Sequence, residues 1–146
     1  MIKRISLGVF IGLIVGGILI QFLPYGHDHT NPPVTSEVQW DSTQTRDLVT
    51  RACYDCHSNQ TTWPWYSNIA PISWLIQHDV EEGRSRLNFT AGNRREAENV
   101  ARLVQSGQMP QWYYVFLHST ANLTSAEKQA LVQGLQTSLS GGGQTQ

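Results

Sequence analysis

Residues Ile5 to Leu23 read ISLGVFIGLIVGGILIQFL, 19 consecutive positions without a charge. At about 1.5 Å per residue a helix of that length just spans a hydrocarbon core of roughly 30 Å. Lys3 and Arg4 precede the run, and basic residues at a membrane boundary favour the cytoplasmic side. The sequence therefore predicts a transmembrane anchor or signal sequence over residues 1–23, with everything after Leu23 on the periplasmic face of a cytoplasmic membrane. The run is longer than the roughly 7–15 residues of a signal peptide's apolar region, and no small-x-small cleavage site follows it. An uncleaved, single-pass anchor is the expectation. A buried core helix is disfavoured because no equally apolar partner segment exists elsewhere in the chain.

What remains is one small domain. Of the 146 residues 40% are apolar and only 14% charged, and much of the apolar share lies in the first two dozen positions. A domain of that size has a thin core by area scaling and often leans on a covalent or cofactor staple. Ten Lys and Arg stand against eleven Asp and Glu, a balance that argues against a nucleic-acid partner. Composition also excludes a multidomain enzyme, a collagen-like chain and a coiled coil. Residues 24–39 carry His27, His29, Pro32 and Pro33 with no helical or strand period and read as a linker. The His27 and His29 pair offers too few ligands for a tight metal site.

The chemistry lies in Cys53-Tyr54-Asp55-Cys56-His57, which contains both cysteines of the chain. CxxCH is the c-type haem attachment pattern. Each thiol adds to one vinyl group at the porphyrin edge, and the adjacent His57 imidazole reaches the iron through Nε2. Three other readings compete. A thioredoxin-like dithiol needs a βαβ pattern, and none precedes Cys53. A structural zinc site needs four ligands, and a second ligand pair is absent. A plain disulfide beside a surface histidine is compatible with export, but export equally suits haem attachment. The pattern thus predicts one covalent haem c, bound through Cys53 and Cys56, with His57 on the iron.

The second axial position has three candidates: Met109, His118 and His78. Met109 lies 52 positions after His57 in Gly107-Gln108-Met109-Pro110, a loop whose Gly and Pro constrain the backbone. Its thioether is a soft, neutral ligand that raises the reduction potential, although methionine elsewhere mostly fills core space. His118 follows that loop closely and is the runner-up. His78 stands beside an apolar stripe formed by Ile72, Leu75, Ile76 and Val80 at helical spacing, where a packing role is the commoner one.

The periodicity is helical throughout. A helix is expected from Ser42 through Leu48, Val49 and Ala52 to Cys53; a second over the Ile72 to Val80 stripe. A third is expected from Asn93, with Glu96 in its first turn and Ala97, Val100, Ala101 and Val104 on one face, stopped by Gly107. The last opens with the capping box Thr124-Ser125-Ala126-Glu127, carries Leu131, Leu135 and Leu139, and fades into Gly141-Gly142-Gly143, a disordered tail over residues 140–146. No stretch alternates as a strand does, so the fold class is all-α. Trp63-Pro64-Trp65-Tyr66 and Trp112-Tyr113-Tyr114-Val115-Phe116 are expected to supply the apolar wall a porphyrin needs, with an ordinary aromatic core or a peptide-binding patch as the alternative. Arg84 and Arg86 are candidate propionate partners. The Asn-x-Thr triplets at Asn59, Asn88 and Asn122 read as chance occurrences.

Cys53-Tyr54-Asp55-Cys56-His57-Ser58-Asn59, the run from Trp63 to Pro71 (WPWYSNIAP), Ser73-Trp74-Leu75, His78, Leu87-Asn88-Phe89 and Met109-Pro110 together resemble the bacterial haem-binding domain family of small exported c-type proteins. The resemblance covers residues 40–139. It implies covalent haem on Cys53 and Cys56, His57 as proximal and Met109 as distal ligand, and a cytochrome c-like helical haem domain. The function expected is a membrane-anchored monohaem c-type cytochrome, a one-electron carrier rather than an enzyme. Its expected partners are redox donor and acceptor proteins, the cytochrome c maturation machinery, and the membrane through residues 5–23. The alternatives are a gas or redox sensor with a displaceable sixth ligand, or a small haem peroxidase using His78 or His118 as acid–base residue.

Overall fold

Between residues 40 and 140 helices form over the four stretches that spacing and caps predict, and a short one over Trp112–Leu117 forms where none is expected. The computed structural model describes residues 2–93 and 97–140, except the side chains of residues 2–6 and 140. The side chains of Lys3 and Arg4, the expected cap at Glu96 and the expected tail beyond residue 140 lie outside the described residues. Among the described residues six helices follow one another: α1 (Ile2–Leu19), α2 (Thr43–His57), α3 (Ile72–Arg86), α4 (Ala97–Gln105), α5 (Trp112–Leu117) and α6 (Ser125–Ser140), with short 3-10 turns between some of them. Among the described residues there are two isolated β-bridges and no strand, so the all-α expectation holds.

Backbone contacts divide the chain into two units, Met1–Thr30 with Trp63–Asp79, and Asn31–Thr62 with Val80–Gln146. In the first, α1 stops at Leu19, tightens into a 3-10 turn over Ile20–Phe22 and turns extended at Leu23, with ψ 131°. Its 18 residues reach about 27 Å, short of a roughly 30 Å hydrocarbon core. Among the described residues no helix is long and apolar enough to cross a membrane, which differs from the helix expected over Ile5–Leu23. The Gln21 side chain pairs with Ala70, accepting from its N–H (2.9 Å) and donating to its carbonyl (3.0 Å).

Gly26, at φ 95°, brings the chain against Ser73 and Trp74, where a Cβ would have no room. The extended segment there has backbone N–H groups that no helix or strand satisfies, and those must find acceptors. Gln77 Oε1 supplies one, taking the Gly26 N–H at 2.6 Å and the Asp28 N–H at 3.2 Å. This requirement outweighs the first turns of the apolar stripe: α3 buries Ser73 and Gln77 while Ile72 and Leu75 remain exposed, and of the stripe Val80 is buried. His29 stacks on Trp63 at 4.5 Å and its Nε2 is bonded to the Ser67 carbonyl at 3.1 Å, a packing role.

The second unit holds the main core. Val49, Leu131, Leu135, Val104 and Leu87 share one buried cluster with Phe89, which has no exposed surface. Trp40 meets the Phe89 ring edge-on at 5.3 Å, and Tyr54 stacks on it at 6.1 Å. Ser42 caps α2 by accepting the Thr45 N–H at 3.1 Å. Thr124 and Glu127 form the reciprocal box at the start of α6, with bonds of 2.9 and 3.2 Å. Residues 35–38 run beside residues 89–90, donating Thr35 N–H to Thr90 O (2.9 Å) and Val38 N–H to Phe89 O (2.9 Å). The second half of the expected linker is thus bonded to the domain, and Val38 is part of its core.

Candidate functional site

Cys53 and Cys56 lie three residues apart on α2, one helical turn, so their side chains share a face. α2 continues past Cys53 to His57, one turn further than the apolar spacing suggested. His57 Nδ1 donates to two backbone carbonyls, Leu87 O at 3.0 Å and Gly83 O at 3.2 Å. Both partners can only accept, which assigns the proton to Nδ1 and leaves the lone pair on Nε2. Burial lowers the His57 pKa, partly offset by the Leu87 and Gly83 carbonyls, so the ring is neutral near pH 7. A neutral imidazole with Nδ1 held by a carbonyl is the form that ligates a metal.

A polar frame holds this histidine. Its own carbonyl accepts the Phe89 N–H at 2.8 Å. Next to it, buried Asn88 donates to Asn59 Oδ1 (2.7 Å) and accepts from Thr90 N–H (3.0 Å), while Thr90 Oγ1 accepts the Asn59 N–H (2.7 Å). Asn59 and Asn88 are buried, out of reach of a glycosylating enzyme. Arg84 donates through Nε to Ser58 O (2.9 Å) and through Nη2 to Asn31 Oδ1 and Thr61 Oγ1 (2.8 and 2.9 Å). Its guanidinium thus serves the loop after His57, and Arg86 bonds Glu82 at 2.6 Å.

The thiol of Cys53 is pushed up to about 12 by burial. A reactive dithiol would be shifted the other way. Among the described residues no group of three or more His, Cys, Asp or Glu gathers as a metal cluster.

Met109 sits at the end of a glycine-capped helix. Gly107, at φ 74°, follows α4; its N–H bonds Val104 O at 3.1 Å and that of Gln108 bonds Leu103 O at 3.0 Å, the paired bonds of a Schellman motif. The Met109 N–H goes to the same Leu103 carbonyl at 3.2 Å. Half-buried Met109 and Cys53 pack against one and the same apolar cluster. His118 Nδ1 is bonded to Tyr114 O at 3.0 Å and its ring stacks on Tyr114 at 4.1 Å. His78 is exposed and lies in the other unit.

Sequence reasoning missed two contributors. Gly83 packs so closely that a Cβ on it would overlap the Cys56 carbonyl oxygen; a lone glycine inside a helical pattern is the available signal. Tyr114 donates to Asp55 Oδ2 at 2.7 Å, and its phenol pKa is pushed far up by burial and then by the Asp55 charge. Nothing in the spacing announces that pair.

A haem fits these residues by donor chemistry and by what is left uncovered. Two thiols on one helix face precede an imidazole whose Nε2 lone pair is available. α5, WYYVFL, buries none of its six residues. Trp112 and Phe116, one turn apart on it, are 79% and 83% exposed, an apolar surface that a soluble domain would normally cover. No curated protein and no solved structure matches the chain. A family model described as a haem-binding domain matches residues 15–137. With that match spanning most of its length, the chain belongs to the haem-binding domain family.

Proposed function

We propose that the protein is a monohaem c-type cytochrome that carries single electrons at the outer face of a cytoplasmic membrane. Cys53 and Cys56 would hold the haem through thioether bonds, with His57 Nε2 and the Met109 thioether as its iron ligands, within a cytochrome c-like domain. When bound there, the haem supplies a one-electron ferric–ferrous couple. The observation that carries this reading is the His57 ring, fixed by two carbonyls on Nδ1 directly after the cysteine pair. The carbonyls orient the imidazole and strengthen it as a ligand. Phe89, whose ring lies 6.2 Å from His57, keeps that side dry, and the Leu103 carbonyl steadies the Met109 backbone.

Ligands that are held in both oxidation states keep reorganisation small, which favours a carrier over an enzyme. Its partners would then be redox donor and acceptor proteins, after the cytochrome c maturation machinery has attached the haem. The membrane association rests on α1, where every apolar side chain from Leu7 to Leu19 is exposed, together with the 3-10 turn that extends it. Such a surface favours lipid over water.

The decisive experiment is the spectrum of the full chain, expressed with haem-maturation machinery, denatured in alkaline pyridine and native in both oxidation states. Covalent haem with a methionine–iron charge-transfer band in the ferric form is expected. Absence of covalent haem would overturn the proposal. Rapid binding of carbon monoxide by the ferrous form would redirect it to a sensor with a displaceable sixth ligand.

A further inference from the structure

Asp55 lies between the two cysteines, and Tyr114 lies five residues beyond Met109. The phenol donates to Asp55 Oδ2 at 2.7 Å, and the other carboxylate oxygen, Oδ1, accepts the Thr62 N–H at 3.0 Å. The Asp55 carbonyl accepts from Thr61 Oγ1 at 2.6 Å. Asp55 is therefore held on its own side by the loop that follows His57. Tyr114 is held on its side by α5: its carbonyl accepts the His118 N–H at 2.9 Å and His118 Nδ1 at 3.0 Å, and the two rings stack. None of the six residues of α5 is buried. The Met109 segment leads directly into that helix through Pro110 and Gln111.

We propose that Tyr114 is a positioning residue for Met109, and that its hydrogen bond to Asp55 ties the Met109 loop to the turn that carries Cys53 and Cys56. The tie spans 59 residues of sequence, so its loss frees the far end of the Met109 loop while the near end stays on the α4 cap. In this role Tyr114 acts through the path of the chain. The inference rests on the proposed haem ligation by His57 and Met109.

The test uses the full chain with covalently attached haem, comparing wild type with Tyr114→Phe, Asp55→Ala and Asp55→Asn. Tyr114→Phe keeps the ring and removes only the donor; Asp55→Ala removes the acceptor and keeps the phenol, and so remains informative where the first variant folds poorly. Both should leave haem content unchanged, weaken the methionine–iron band and raise ferric affinity for imidazole about tenfold, the equivalent of one hydrogen bond of roughly 1.4 kcal/mol. Asp55→Asn retains an oxygen acceptor and should restore most of the band. The double variant Tyr114→Phe with Asp55→Ala should be no worse than either single one. Unchanged band and imidazole affinity in both single variants, at wild-type haem content, would overturn the positioning role and leave the haem reading intact. Wild-type protein without covalent haem, or with haem and no methionine band, would overturn both.

Discussion

Gly83 presses against Cys56 so closely that a β-carbon added to it would overlap the Cys56 carbonyl oxygen and reach that residue's carbonyl carbon at 3.0 Å. The obstructing atoms are backbone and cannot rotate aside. Gly83→Ala should therefore shift α3 away from the cysteine turn at a cost of about 1–3 kcal/mol. The Gly83 carbonyl, one of the two acceptors for His57 Nδ1, would move with it. Thermal melts and covalent haem yield, measured together, check this; a variant with the wild-type midpoint and yield would show that the contact is slack.

Gly134 makes the same kind of approach where α6 meets α2. A Cβ there would run into Oγ1, Cγ2 and Cβ of Thr45. Thr45 is buried and its hydroxyl is engaged with Ser42 Oγ at 3.0 Å, so no rotamer relieves all three contacts. Gly134→Ala should lower stability by about 1–3 kcal/mol. Pairing it with Thr45→Ala should recover part of that loss, because the two nearest obstructing atoms, Oγ1 and Cγ2, are then gone and only Cβ remains. Denaturant midpoints of the two single variants and the double one decide the matter; strictly additive losses would mean the pair does not touch in solution.

These two glycines also mark where the sequence was readable and where it was not. Local signals were reliable: the Ser42 cap, the Thr124–Glu127 box, the Gly107 stop and the Val100, Ala101 and Val104 face all stand in the structure. Those depend on neighbours within a turn or two. What spacing cannot show is which distant backbone will need a partner. α3 buries Gln77 in place of Leu75 because Gly26 and Asp28 bring unsatisfied N–H groups to it. Phe89 became the centre of the core, although nothing periodic surrounds it in sequence. The aromatic core is built from Trp40, Tyr54 and Phe89, none of which belongs to the two aromatic clusters that stand out in the sequence. At the site, the motif pointed to His57; the carbonyls that set its tautomer come from Gly83 and Leu87, some thirty residues away.

The Asn88 side chain concentrates three of the bonds that hold the loop after His57. Replacing it by Ala leaves Asn59 Oδ1, the Thr90 N–H and Thr90 Oγ1 without their present partner in a buried setting. An orphaned buried polar group costs roughly 1–3 kcal/mol, so Asn88→Ala should be among the more damaging single changes in the domain. Chemical denaturation gives the loss directly. A change below about 0.5 kcal/mol, the usual range of a surface substitution, would mean that water replaces the side chain at no cost.

Acid should remove one identifiable contribution. Glu127 accepts from the Thr124 N–H and hydroxyl and pairs with Arg51 at 2.6 Å. Those bonds, led by the Thr124 N–H, lower its pKa from 4.5 to about 2. A carboxyl that binds protons less readily when folded adds stability above its unfolded pKa and loses it as pH falls through the folded one. The contribution is thus complete above about pH 4.5 and is lost between there and about pH 2. Glu127→Gln should melt below wild type at pH 7, and the gap should close across that window. A gap of constant size from pH 7 to pH 2 would assign the loss to the side chain's shape and not its charge.

Met109→Ala separates a carrier from a sensor. Met109 is half-buried against the cluster that also supports Cys53, and its backbone is fixed by Leu103. Removing the thioether should leave the cysteine attachment intact, because Cys53 and Cys56 lie on α2, far along the chain from the α4 cap. It should lower the reduction potential, since a soft neutral ligand favours the ferrous state, and let carbon monoxide bind the ferrous form where the wild type excludes it. Potentiometry and carbon monoxide binding on both proteins read the two effects independently. Where the wild type already binds carbon monoxide as fast as the variant, Met109 is not holding the iron, and the displaceable-ligand reading replaces electron transfer. Where the variant keeps the wild-type ferric spectrum, the ligand is another residue, and His118, held against Tyr114 two turns beyond Met109, is the side chain to change next.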